Sequence, residues 1–188
     1  MKTVVYYASR TGNTRAVAEQ VAEVLRGRGE ATAVPIDDAP DRIEDDVDLV
    51  VVGGPTEGHG VTPPMRLFLK TIGSRGLAGL EVAAFDTRIG WPRLLSGSAA
   101  EGIAKLLVAA GARLIAAPES FVVSTKPALQ PGELARAATW GARLADIARP
   151  PRRARQDRAS VRAPVDGTPG RWSSAHLSRI PPFALEGN

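Results

Sequence analysis

Cysteine is absent from the 188 residues, which excludes disulfides, thiolate nucleophiles and cysteine metal sites. Histidine occurs twice, at His59 and His176, far apart in the chain. A zinc centre or a Ser/His/Asp triad would rest on His59 almost alone, with no Asp or Glu cluster of ligand spacing beside it, so both are set aside. No apolar run approaches the ~20 residues that span a bilayer, so no membrane span is expected. Met1 and Lys2 lead straight into an apolar run, leaving no room for a secretory signal, and a cytoplasmic location is expected. Lysine is scarce (Lys2, Lys70, Lys105 and Lys126), and aromatic residues make up 5% of the chain.

What is present fits one well-buried domain: 44% of residues are hydrophobic and 23% charged, ordinary for a soluble protein. Charge is unevenly placed. From Arg149 onward eight arginines face Asp157, Asp166 and Glu186, a surplus of five, so with a net charge of +4 the remaining body carries −1. That stretch, rich in Arg and Pro and then in Gly and Ser, has no sustained periodicity and reads as a disordered tail over 149–188, behind a domain over 1–148. Charge alone would let it meet nucleic acid or anionic lipid. The chain favours arginine over lysine throughout, however, so compositional bias accounts for the tail and nucleic acid is not expected as a partner.

The most informative stretch is Ser9, Arg10, Thr11, Gly12, Asn13, Thr14, directly behind the apolar run Val4–Ala8. A strand that ends in small hydroxyl residues, turns at one glycine and enters a helix gathers unpaired backbone N–H groups and hydroxyls at the positive end of the helix dipole. No lysine follows Gly12, as a nucleoside-triphosphate loop requires, and a single glycine stands where a dinucleotide fingerprint needs three. What remains is a site for one phosphate monoester. An ordinary helix start needs only one cap residue, fewer than this run of cap formers supplies.

Periodicity orders the rest. Val17, Val21, Val24 and Leu25 share one face of a helix over 13–26, which Gly27 and Gly29 end. Ala31–Ile36 is a strand whose Pro35 assigns it to an edge. Leu49–Val52 is a strand buried on both faces, and Val82–Phe85 is another, short and apolar. Thr62 and Pro63 open a helix to about Ile72, and Ser98 with Glu101 forms a capping box for a helix that Gly111 stops. A fifth strand over Leu114–Val123 is interrupted near Pro118, and a last helix runs from about Pro131 to Ile147, with Trp140, Leu144 and Ile147 assigned to the core. This alternation predicts an α/β domain, a doubly wound five-stranded parallel sheet of order 2-1-3-4-5 with helices on both faces. The acidic run from Asp37 to Asp48 reads as a solvated connection.

Three loops then converge on one sheet edge: Ser9–Thr14, Gly53–Gly60 and Asp86–Gly97. Together they resemble the flavodoxin family. The first matches that family's [ST]-x-T-G-x-T phosphate pattern at Ser9, Thr11, Gly12 and Thr14. The second, Gly53, Gly54, Pro55, Thr56, Glu57, Gly58, His59 and Gly60, is similar to its second flavin loop. The resemblance implies bound FMN, with Ser9, Arg10, Thr11, Gly12, Asn13 and Thr14 at the phosphate and Pro55, Thr56, Glu57 and Gly58 along the ribityl chain and ring edge. Asp86, Thr87, Gly90 and Trp91 would belong to the loop covering the far side of the ring. Trp91 is either a stacking partner or a packing anchor, and His59 either a group at the ring edge or an exposed loop residue. Gly58 tolerates either sign of φ, which would let the peptide joining it to His59 turn when the flavin is reduced.

On these residues three functions stand open. One is an electron carrier, for which no catalytic acid, base or nucleophile is needed. Another is an FMN-dependent oxidoreductase acting on a quinone or similar aromatic substrate. The third is a flavodoxin-fold module that has lost the flavin, which the scarcity of aromatics favours. A redox partner protein is expected for the first, and the near-neutral body argues against the strongly acidic docking surface common in the family.

Overall fold

The computed structural model describes residues 1–58, 60–91, 97–124 and 128–149. The readings made on His59 and on 150–188 lie outside them. The chain alternates β1 (Lys2–Tyr7), α1 (Asn13–Leu25), β2 (Glu30–Pro35), β3 (Leu49–Pro55), α2 (Pro63–Ser74), β4 (Glu81–Ile89), α3 (Ala99–Ala109), β5 (Arg113–Leu114), β6 (Glu119–Val123) and α4 (Glu133–Ile147). All ladders are parallel, in the order β2-β1-β3-β4-β5 with β6 also on β4. The expected order is therefore present, with β2 and its Pro35 at the edge, where a missing N–H breaks no ladder bond.

Strand alternation divides the core into two layers. Val4, Val50, Val52, Val82 and Ala84 face α2 and α3, burying Met65, Ile72, Ile103 and Leu107. Val5, Leu49, Val51, Ala83 and Phe85 face α1 and α4, burying Val17, Val21, Leu25, Trp140 and Leu144. Each such fully buried Val or Leu contributes about 1.5–3 kcal/mol, so a charged residue at Val21, fully buried beneath α1, would break that layer. Phe85, Phe121 and Trp140 pack edge to face at centroid separations of 5.9–6.1 Å. Ile147, assigned above to the core, is 41% exposed: it occupies the last turn, beyond the sheet that Leu144 still covers.

Two strand boundaries differ from expectation. Strand β4 runs nine residues rather than four, so Asp86 and Thr87 are paired ladder residues and the third loop starts later. The polar pair belongs to the strand because β3 and β6 flank it on both sides and its side chains find partners inside. By the same pairing β3 extends through Gly53, Gly54 and Pro55, which face Phe85, Asp86 and Thr87. Gly53 is required there, since a Cβ would stand 2.0 Å from the Phe85 ring. The interrupted fifth strand resolves into β5 and β6, both on β4, with Pro118 between them unable to donate to a ladder.

Two ionic anchors tie the chain at the amino end of the sheet. Lys2 pairs with Glu44 and Asp46, which hold its ammonium above the ordinary lysine range, while its backbone N–H donates to Asp48 at 2.9 Å. Glu81, buried at the start of β4, pairs with Arg113 and with Arg149 Nε at 3.3 Å, and it accepts from the Arg149 backbone N–H at 3.0 Å. Arg149 is thereby tied to the body.

Candidate functional site

The first loop leaves β1 at Tyr7 and reaches α1 through Gly12, whose φ of +86° is a left-handed conformation that only glycine adopts cheaply. Ser9 Oγ accepts from the Arg15 N–H at 3.3 Å, and the Ala16 N–H closes the first helical bond on Gly12. The N–H groups of Asn13 and Thr14 fall in the first turn, where no intrahelical acceptor exists. Thr11 is exposed and its hydroxyl accepts from Asn13 Nδ2 at 3.2 Å. Neutral donors at the positive end of a 13-residue helix thus converge beside open space, since a Cβ on Gly12 would meet nothing within 4 Å. Thr14 is turned inward: it is buried, and its hydroxyl shares a 2.8 Å hydrogen bond with Thr87 on β4.

The second loop follows β3. The Thr56 N–H donates to the Thr87 carbonyl at 2.9 Å, and Glu57 and Gly60 exchange backbone hydrogen bonds across a tight turn. Gly58 occupies the first central position of that turn with φ +52°, the sign that primed hairpin turns demand. Cβ atoms on Gly58 or Gly60 would meet nothing within 4 Å. Arg10 reaches across from the first loop to Glu57 at 3.2 Å, an exposed pair that links the two loops.

Behind the second loop stands a side-chain cluster centred on Asp86. Its carboxylate is fully buried, and Oδ2 accepts three hydrogen bonds: from Thr56 Oγ1 at 3.0 Å, Ser98 Oγ at 2.8 Å and the Ala100 N–H at 3.0 Å. Thr56 Oγ1 in turn accepts from the Ala99 N–H at 2.9 Å, and Ser98 Oγ caps α3 by accepting from the Glu101 N–H. One carboxylate at the positive end of α3 therefore holds the second loop and a helix N-terminus together. Its other oxygen, Oδ1, is buried without a hydrogen-bond partner. The capping box was legible in Ser98 and Glu101. That Ser98 also donates to Asp86 was not, because the two residues meet only through the packing of α3 on β4.

Gly90 and Trp91 follow the end of β4. A Cβ on Gly90 would crowd Val122, the Trp91 N–H donates to the Ile89 carbonyl, and Arg88 Nη1 donates to the Trp91 carbonyl at 2.6 Å. The Trp91 side of this turn is 59% exposed. The named site residues among those described thus lie at the carboxyl ends of β1, β3 and β4, where open α/β sheets bind ligands. Side-chain links join different segments of the site at Thr14 to Thr87, Arg10 to Glu57 and Thr56 to Asp86, and Asn13 to Thr11 is joined within the first loop. Among the described residues no group of His, Cys, Asp and Glu could hold a metal ion, and no helix is long and apolar enough to cross a membrane.

A doubly wound parallel sheet of order 2-1-3-4-5, with a hydroxyl- and amide-lined helix N-terminus at its first strand, is a flavodoxin-like fold. The flavodoxin profile matches residues 5–111, more than half of the sequence, and the chain belongs to the flavodoxin family. FMN is the cofactor of that family, and the donor set at Ser9–Thr14 suits its phosphate. Solved structures of similar fold include oxidised flavodoxin 1 from Bacillus cereus, at 23% identity and a TM-score of 0.67 over 78% of this chain and 98% of that one. A WrbA-like flavodoxin from Agrobacterium tumefaciens matches at 24% identity and a TM-score of 0.58 over 82% and 98%. Rubredoxin oxygen:oxidoreductase from Desulfovibrio gigas matches at 20% identity and 0.61 over 86% of this chain but 37% of that one. At these identities the likeness is one of fold. No curated protein matches the sequence.

Proposed function

We propose that this chain holds FMN between its first and second loops and carries electrons at low potential between redox partner proteins in the cytoplasm. The observation that carries this reading is the cradle at the N-terminus of α1, where Ser9, Thr11 and the first-turn N–H groups of Asn13 and Thr14 offer neutral, oriented donors beside open space. Ser9, Arg10, Thr11, Gly12, Asn13 and Thr14 would hold the phosphate. Pro55, Thr56, Glu57, Gly58 and His59 would line the ribityl chain and ring edge, and Asp86, Thr87, Gly90 and Trp91 would belong to the far wall. Bound there, FMN supplies reversible one- and two-electron redox chemistry.

The protein's part is positioning. The Asp86 cluster fixes the second loop, and the Arg10–Glu57 pair ties it to the first. Asp86 Oδ2 is engaged by three donors of the fold, so its role is to hold the second loop and α3 in place. Anaerobic titration of the FMN-loaded full chain tests the reading. A carrier takes up electrons reversibly and passes them on without consuming a small substrate. Sustained turnover of a quinone with NAD(P)H would instead make it an oxidoreductase, and a chain that takes up no FMN would be the fold without its cofactor.

A further inference from the structure

Most cations of the body are spent on neighbouring carboxylates: Lys2, Arg10, Arg15, Arg26, Arg28, Arg42, Arg113, Arg136 and Arg149 all form ion pairs. Among the described residues Arg66 and Lys70 on α2 form none, nor do Arg75, Lys105 and Arg143, but only the α2 pair borders an exposed apolar ridge with unpaired acids beyond it. Those acids are Asp37, Asp38 and Asp41, in the segment beside α2, which form no ion pair among the described residues. Between the two sets stands Leu67, 67% exposed and the most exposed large apolar side chain among the described residues. Arg66 and Lys70 flank it on the side of a groove of about 710 Å³ floored by Leu69, Leu106 and Ala109. On its other side a smaller cavity is lined by Asp37, Asp41, Pro40 and Phe68. The face is therefore an apolar ridge with unpaired positive charge on one flank and unpaired negative charge on the other.

We infer that this face is a docking surface for a second copy of the same chain. A partner of a single sign would be repelled by one flank, as would the arginine-rich stretch 149–162 by Arg66 and Lys70. A second copy satisfies both flanks, provided the symmetry axis has the right direction. Rotation about an axis across α2 sets cation on cation. Rotation about an axis along α2 exchanges the flanks, laying Arg66 and Lys70 of each copy against the Asp37–Asp41 segment of the other with the two Leu67 side chains between them. The helices then lie parallel, and the carboxyl ends of both sheets open on the same side of the dimer. The inference does not depend on FMN.

The chain has no cysteine, so a single introduced thiol reports its own neighbour. Leu67 and Ser74 lie seven residues apart, on one stripe of α2, and both are exposed. In the parallel arrangement each meets its own counterpart, so Leu67→Cys and, in a separate chain, Ser74→Cys both cross-link into dimers on mild oxidation. Sedimentation equilibrium of the full chain is expected to show a concentration-dependent dimer. Leu67→Asp, at a site too exposed to endanger folding, weakens it by roughly tenfold or more. Lys70→Glu also weakens it, and Asp41→Lys added to Lys70→Glu restores it. A chain that stays monomeric, a dimer indifferent to Leu67→Asp, or cross-linking at Leu67→Cys alone would overturn the proposal. So would dimerisation that appears only after residues 150–188 are removed, because the chain's own segment would then be the occupant.

Discussion

In the first loop the donors face outward: Thr11 is exposed, Gly12 bends the chain, and the first-turn N–H groups have no acceptor in the helix. In the wall formed by Thr56, Asp86 and Ser98 the donors face inward, each engaged by a buried carboxylate or by a neighbour it holds. The two regions share one sheet edge and divide the work. The loop leaves hydrogen-bonding capacity open toward solvent, as the proposed phosphate site requires. The wall uses its own to fix the geometry of the second loop and of α3. Binding and stability should therefore respond to different substitutions.

The largest effect is expected in the wall. Asp86→Ala leaves Thr56, Ser98 and the Ala100 N–H without their shared acceptor and should lower stability by about 3 kcal/mol in urea unfolding of the flavin-free chain. Asp86→Asn keeps an acceptor and places its NH2 where Oδ1 already lacks a partner, so about 1 kcal/mol is expected. Equal losses in the two variants would mean that charge, and not the hydrogen-bonded clamp, sustains the wall.

At the junction of the two regions, Thr14→Val strips the Thr87 hydroxyl of its buried partner and should cost about 1–2 kcal/mol in the same measurement. In the loop itself the pattern inverts. Thr11→Val should leave unfolding within about 0.5 kcal/mol of the parent and weaken FMN affinity roughly tenfold in a fluorescence-quenching titration. The smallest effect belongs to Arg10→Ala, which removes an exposed pair worth about 0–1 kcal/mol, declining further as salt is raised. A Thr11 variant that unfolds easily but binds normally would erase the distinction between loop and wall.

Local chemistry made much of this legible in the sequence. Single glycines at helix ends, Pro35 at an edge, the Ser98–Glu101 box and the apolar runs of β1, β3 and β4 all act within a few residues, so the element order and the sheet order follow from them. The hydroxyl-rich turn at Ser9–Thr14 is equally local, and the proposed phosphate site rests on it. What escaped was set by distant partners. Nothing near Thr14 in the chain says that it turns toward Thr87, 73 residues away. Asp86 and Thr87 look like the start of a loop until β3 and β6 pair with them on both sides. Arg149 opens an arginine-rich stretch and reads as part of it, yet buried Glu81 claims it for the body.

If the N-terminus of α1 holds the cofactor by its phosphate, a flavin without that phosphate binds more weakly. Parallel titrations of the flavin-free full chain with FMN and with riboflavin, which differ only in that phosphate, test it most directly. FMN is expected to bind at least tenfold tighter than riboflavin, with the difference much reduced in Thr11→Val. Equal affinity for the two flavins, or no uptake of either, would contradict it.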